Sequence, residues 1–113
     1  MTPTAIAAAA DFNSCGCVLG PEQAPETLAG EADIPGRFTV DGAVACGGSA
    51  RDILGHPLNS LAWFADHRAA LGMPLRAGEP ITLGSIVAAL RLDRPCLVEA
   101  SFDGLGAATV AVT

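Results

Sequence analysis

The stretch Leu54-Gly55-His56-Pro57-Leu58-Asn59-Ser60-Leu61-Ala62-Trp63-Phe64-Ala65 restricts the fold more than any other part of the chain. Proline is tolerated at the first helical position, where its missing N–H has no intrahelical acceptor to satisfy, so Pro57 marks a helix start. From there Leu58, Leu61, Ala62, Ala65 and Ala69 recur at i, i+3, i+4, i+7 and i+11 and form one apolar stripe. Gly72 suits the position just past the helix end, and Arg68 in the last turn complements the helix dipole. The spacing predicts one main helix over about residues 57–71. Trp63 and His67 lie four residues apart on the face opposite the stripe, and a tryptophan there predicts an interface.

A helix with one apolar stripe needs a sheet or another helix to lie on, and the flanking segments predict a sheet. Arg37–Val40 and Ala43–Cys46 are short β-prone runs separated by Asp41-Gly42. Asp-Gly favours the two-residue type I′ turn, in which both central residues take positive φ. That pairing puts Phe38, Val40, Ala43 and Ala45 on one face and ends the second strand at Gly47-Gly48. A further strand is expected over Ile81–Val87. A second hairpin is expected from Pro95–Phe102, through Asp103-Gly104-Leu105-Gly106, to Ala107–Val112. Residues 1–10 read as a flexible, Ala-rich lead, and Gly20-Pro21 as a stop. Residues 21–36 read as a surface loop with a helical turn near Glu26–Ala29. The class expected is α+β, with a mostly antiparallel sheet and a single domain over residues 11–113.

With 113 residues the chain is one domain at most. Half of it is apolar, yet the apolar share is rich in Ala, Val and Leu, with no Tyr and one Trp. Small side chains bury little area each, which points to extra burial at an oligomer interface. The net charge is −6, and the six cations are scattered singly, as at Arg37, Arg51 and Arg68. With no basic patch, neither nucleic acid nor an anionic membrane surface is expected as a partner. The Ala5–Ala10 run is far too short to span a membrane. Cys15 and Cys17 are spaced C-x-C and only two histidines occur, which does not suit a zinc site. Cys15, Cys17, Cys46 and Cys96 read as small apolar groups in a reducing cytoplasm.

Five short motifs, in order and near the right spacing, resemble the C-terminal half of the 2-keto-4-pentenoate hydratase and 4-oxalocrotonate decarboxylase group of the fumarylacetoacetate hydrolase superfamily. They are Asp11 with Ser14-Cys15-Gly16 and Val18-Leu19-Gly20; Gly55-His56-Pro57-Leu58-Asn59 with Leu61–Ala65; Leu75-Arg76-Ala77-Gly78-Glu79; Gly84-Ser85; and Phe102–Gly106. Asp41-Gly42 also sits where the group carries an Asn-Gly turn. The resemblance implies a mixed roll or half-barrel. It implies a Mg²⁺ or Mn²⁺ held by three carboxylates, two of them as Glu-x-Glu, which polarises the 2-keto acid so that an enol can form. It also implies substrate contacts from Ser14, Gly84 and Ser85.

The chain departs from that pattern. Glu-x-Glu is absent, and Glu31-Ala32-Asp33 lies in the Pro-rich loop at no matching position, where it reads as solvated. The chain alone is therefore expected to bind no metal, a partner supplying the carboxylates. Phe12 stands where the group has Asn, and Thr82-Leu83-Gly84 displaces the loop threonine by one.

His56 is a candidate general acid or base, weighed against a capping role, and Ser14 a candidate substrate hydrogen-bonder with no histidine near it in sequence to make it a nucleophile. His67 reads as an interface or solvated residue. Cys15 and Cys17 are too close to pair without strain. Gly47-Gly48-Ser49 is not a phosphate loop, since no Lys follows. Three functions remain open. The chain is part of a 2-keto acid hydratase or decarboxylase, completed in a homo- or hetero-oligomer. Alternatively it is a metal-free isomerase or cyclase acting on a small organic molecule, or a non-catalytic partner subunit.

Overall fold

In the computed structural model, which describes residues 16–30 and 33–113, the chain builds an open four-stranded antiparallel sheet and one long helix. A single helical turn, α1 (Glu26–Ala29), precedes the sheet at the expected place. Strands β1 (Pro35–Val40) and β2 (Ala43–Ser49) form the first hairpin. Asp41 (φ 50°) and Gly42 (φ 83°) are its central turn residues, the type I′ geometry that Asp-Gly favours. A 3₁₀ turn at Ala50–Asp52 leads to α2 (Pro57–Ala70). Strands β3 (Cys96–Phe102) and β4 (Gly106–Val112) form the second hairpin. The sheet order is β2-β1-β3-β4, and it does not close into a barrel.

Register decides which side chains face inward. β1 pairs with β3 as Gly36↔Phe102, Phe38↔Ala100 and Val40↔Val98, and β3 with β4 as Ala100↔Ala108 and Val98↔Val110. These residues share one face because strand side chains alternate. A bulge in the first hairpin pairs Phe38 with Cys46 but Thr39 with Val44. Ala45, expected on the Phe38 face, is the extra residue of that bulge, and Cys46 takes its place.

Two other expectations change. Residues 81–87 form no strand. Gly84 sits at φ 134°, and the Ser85 hydroxyl donates to the Val87 carbonyl at 2.6 Å while accepting from its N–H at 3.3 Å. That local turn withdraws backbone groups a ladder would need. The helix stripe is also rotated. Pro57 is buried and Ser60, Leu61, Phe64, Ala65 and Arg68 are half-buried, whereas Leu58, Ala62 and Ala69 are exposed. The half-buried edge runs through Ser60, Phe64 and Arg68, the side that faces residues 79–82. Gly72 (φ 75°) ends the helix, and the Met73 N–H donates to the Arg68 carbonyl at 2.9 Å.

One charged group ties the two hairpins together. The Leu97 N–H donates to Asp41 Oδ1 at 2.8 Å, and Arg94 Nη1 to Asp41 Oδ2 at 2.7 Å. The Leu97 N–H bond and the Arg94 guanidinium hold the Asp41 carboxyl below its ordinary value of 3.8. A carboxylate with a lowered folded-state pKa stabilises fully above its unfolded value, and that stabilisation is lost as pH falls through the folded value. Asp41→Asn keeps a turn-compatible residue and removes the charge. We expect the variant to be less stable at neutral pH, and the difference from wild type to close as denaturant midpoints are taken below pH 3.8. A difference independent of pH would assign the effect to turn geometry instead.

Candidate functional site

The motif at the start of α2 is a backbone device. Leu54 (φ 52°) and Gly55 (φ 79°) turn the chain in two consecutive left-handed steps. The Gly55 N–H donates to the Arg51 carbonyl at 2.9 Å, and Asn59 Nδ2 clamps the Leu54 carbonyl at 2.8 Å. His56 is the N-cap: its backbone is extended and its Nδ1 accepts the Leu58 N–H at 3.1 Å. An accepting Nδ1 places the proton of the neutral ring on Nε2. The side chain singled out as an acid or base thus has a capping role here. His56→Ala is expected to cost about 1 kcal/mol, the usual value of an N-cap, while His56→Asn retains most of it. Thermal melts of both variants check this, and an Asn variant as unstable as the Ala variant would argue against the cap.

The loop carrying Gly84 and Ser85 is seated by glycines. Gly36 and Gly48 face each other across β1 and β2. A Cβ on Gly36 would stand 2.6 Å from Ile86 Cδ1, and one on Gly48 2.6 Å from the Ile86 carbonyl oxygen. The two bare positions form a slot that takes Ile86. One step back, a Cβ on Gly84 would stand 3.3 Å from Ile53 Cγ2, so the loop also lies against the residue before the Leu54-Gly55 turn. The structure therefore brings the Gly84 loop beside the helix start that His56 caps. The Ser85 hydroxyl is exposed, and its proton is committed to the Val87 carbonyl. Ser14 lies outside the described residues.

Trp63 and His67 lie together on the outer face of α2, with ring centroids 4.9 Å apart and planes 9° from parallel. Trp63 is 63% exposed. Beside it an open cleft of about 430 Å³ runs between α2 and residues 79–82. Arg68 is its cation. Nε donates to the Met73 carbonyl at 2.7 Å, the guanidinium lies 5.7 Å from the Phe64 ring centroid, and Nη2 is 3.9 Å from Glu79 Oε1. Sequence reasoning treated Arg68 only as a helix-dipole partner, although its i, i+4 spacing from Phe64 could have pointed to the ring contact.

A larger groove, about 550 Å³, opens between residues 18–28 and the inner face of the sheet. Val18, Leu28, Leu58, Phe102 and Leu105 form its apolar wall, and no charged side chain lines it. Gln23 Nε2 pins the outer segment by donating to the Leu105 carbonyl at 2.8 Å.

The divalent ion implied by the resemblance does not fit the described residues, among which no three His, Cys, Asp or Glu side chains gather. Asp33 is engaged elsewhere: its Oδ1 accepts from Ser49 Oγ at 3.0 Å and lies 3.5 Å from Arg51 Nε. Glu31 lies outside the described residues. Among those residues, no helix is long and apolar enough to cross a membrane.

Three curated sequences align with the chain. A 2-hydroxyhexa-2,4-dienoate hydratase of Comamonas testosteroni is 32% identical over 108 residues, 92% of this chain and 40% of that protein. A 2-keto-4-pentenoate hydratase of Burkholderia vietnamiensis is 37% identical over 73 residues, 65% of this chain and 28% of that protein. Another, of Paraburkholderia phymatum, is 36% identical over 69 residues, 61% and 26%. The chain thus spans between a quarter and two fifths of the length of these relatives. No family model matches it.

Proposed function

The chain is a relative of the 2-keto-4-pentenoate hydratases over part of their length, and from that premise we propose that it is one portion of a hydratase-type lyase. A second polypeptide completes the site, and the assembly acts on a small 2-keto acid or related enolisable metabolite. The observation that carries the lineage is the alignment to the Comamonas hydratase, 32% identical over 92% of this chain. The apolar groove against the inner sheet face supports completion by a partner, because such a surface is stabilised by being covered.

In this reading the completing chain brings the carboxylates for Mg²⁺ or Mn²⁺, which supplies Lewis-acid polarisation of a carbonyl when bound. This chain brings the wall around Gly84 and Ser85. The Gly36–Gly48 slot and Ile53 fix that loop's position, and the His56 cap holds the adjoining helix start. Hard cations need several oxygen ligands, so calorimetric titration of the isolated chain with Mg²⁺ should show no saturable binding. Hydration of 2-hydroxyhexa-2,4-dienoate, followed by loss of dienoate absorbance, should require the co-purifying polypeptide. Mg²⁺-dependent turnover by the isolated chain would contradict the reading. Turnover by the isolated chain in chelator would favour a metal-free isomerase or cyclase, and a stable complex without turnover a non-catalytic partner subunit.

A further inference from the structure

The sequence holds two Asp-Gly pairs, Asp41-Gly42 and Asp103-Gly104, and each sits at the tip of one hairpin. In such a pair the backbone amide readily attacks the preceding side chain, because glycine has no Cβ to crowd the approach. We propose that Asp103-Gly104 is a site of spontaneous isoaspartate formation in the folded chain, whereas Asp41-Gly42 is held back by the two contacts on its carboxylate.

The reaction needs no partner beyond water. The protonated carboxyl of Asp103 is the electrophile. The Gly104 nitrogen attacks its Cγ and forms an N–C bond, the nitrogen loses its proton, and one carboxyl oxygen leaves as water. A five-membered succinimide results. Water then adds to either ring carbonyl and breaks that carbon's bond to nitrogen. Opening at Cγ restores aspartate. Opening at the backbone carbonyl leaves the chain running through Cβ and Cγ, with the former backbone carbonyl as a free carboxylate. No atom is gained overall, the charge is unchanged, and the main chain is one bond longer.

The two turns are alike in what the glycine contributes. Gly42 (φ 83°) and Gly104 (φ 75°) both lie in the left-handed region, and nothing stands within 4 Å of where a Cβ on either would be. Each turn tip therefore has room for the ring. The carboxyls differ. To reach the Gly42 nitrogen, the Asp41 side chain must leave the other hairpin, where the Leu97 N–H donates to Oδ1 at 2.8 Å and Arg94 Nη1 to Oδ2 at 2.7 Å. The same two donors lower its pKa and so favour the ionised, unreactive form.

Asp103 is tied through Oδ1 alone, by Arg37 Nη2 at 2.7 Å. The side chains of that pair, Arg37 and Asp103, are 46% and 53% exposed, and an exposed ion pair holds weakly. The Arg94 pair is no better buried, so the Leu97 N–H makes the difference. A backbone donor fixed in β3 cannot swing away with the carboxylate. The site also has a structural consequence. The Leu105 N–H closes the turn on the Phe102 carbonyl at 3.0 Å, and the Leu105 carbonyl accepts the Gln23 amide at 2.8 Å. A longer main chain between Asp103 and Gly104 displaces both, which loosens the outer segment over the apolar groove. None of this rests on the hydratase reading.

The intact chain is aged at physiological temperature and neutral pH in heavy-oxygen water, then digested after arginine. Asp41-Gly42 falls in the peptide of residues 38–51 and Asp103-Gly104 in that of residues 92–113. Each ring opening leaves a heavy oxygen, and electron-transfer fragmentation separates isoaspartate from aspartate. Isoaspartate should accumulate at Asp103 at least about fivefold faster than at Asp41, the scale of one further hydrogen bond to a charged group. In guanidinium chloride, where neither carboxylate keeps its contacts, the two rates should converge. Arg37→Thr keeps a strand-favouring residue and frees Asp103, so the ratio of the Asp103 rate to the Asp41 rate should rise about twofold in the folded variant, as for loss of an exposed ion pair. Unfolding drives that ratio toward unity and cannot produce the rise. Equal rates in the folded chain, no isoaspartate at Asp103, or a ratio that does not rise in Arg37→Thr overturns the assignment.

Discussion

Replacing Gly48 by alanine is expected to destabilise the chain by about 1–3 kcal/mol, as overpacking does when the obstacle is backbone. The new Cβ would stand 2.6 Å from the Ile86 carbonyl oxygen, 3.0 Å from Asp52 Oδ2 and 3.3 Å from Ile86 Cβ. None of these is a free side-chain end. Asp52 Oδ2 accepts the Ser49 N–H at 2.8 Å in a capping box, so moving it loosens the 3₁₀ turn that leads toward α2. Moving Ile86 lifts the Gly84–Ser85 loop off the sheet. Gly36→Ala is the control. Its Cβ meets the ends of the Ile86 and Phe102 side chains, which can turn aside. Urea midpoints should therefore fall further for Gly48→Ala than for Gly36→Ala. The reverse order would mean that the loop is not seated on β2 as described.

Truncating Val98 to alanine should cost about 2–3 kcal/mol, from two methyl groups at about 0.8 kcal/mol each plus the cavity they leave. Val98 is 4% exposed on β3, an interior strand, and its face neighbours are Val40 and Val110. Val110, across the ladder on the edge strand β4, is 41% exposed. The same truncation there should cost the free chain about three fifths as much or less, because part of that side chain is already in water. Unfolding curves of the two variants thus measure how bare the inner face is at the β4 edge. Equal losses would mean that β4 is covered in the free chain.

These two sites also mark where sequence reasoning succeeds and stops. Asp41-Gly42, Pro57 and Gly72 were legible because each turn or terminus is decided by its own backbone: positive φ at the turn, a dispensable N–H at the helix start, a left-handed residue past its end. The seating of Ile86 was not legible. Residues 81–87 carry the apolar content of a strand, but Gly84 and the Ser85 turn take them out of a ladder, and Ile86 packs against glycines some forty and fifty residues upstream. The helix stripe failed for a related reason. Its period holds, but its phase follows Ser60, Phe64 and Arg68, which face residues 79–82, and no helical window contains those. The bulge that replaces Ala45 by Cys46 is likewise a property of the pair of strands.

The candidate site divides the same way. His56 was visible as a residue at a helix start, and its capping bond follows from that place. The pairing of Trp63 with His67 was visible as a spacing, and the rings do stack. The cleft beside them was hidden, because it needs residues 79–82 folded back along α2. Two of the motifs have a structural part on view: the helix start turns and caps the chain, and the Gly84 loop is held by Ile53 and the glycine slot.

In the proposed function this scaffold works within a larger assembly. The most direct measurement is the mass of the native assembly isolated from its source, with the identity of every polypeptide in it. The expected result is a complex well above the 11.3 kDa of this chain, containing a second polypeptide that carries clustered carboxylates and hydrating a 2-keto acid precursor only when both are present. A free 11.3 kDa chain that performs the same hydration unaided with Mg²⁺ would contradict it.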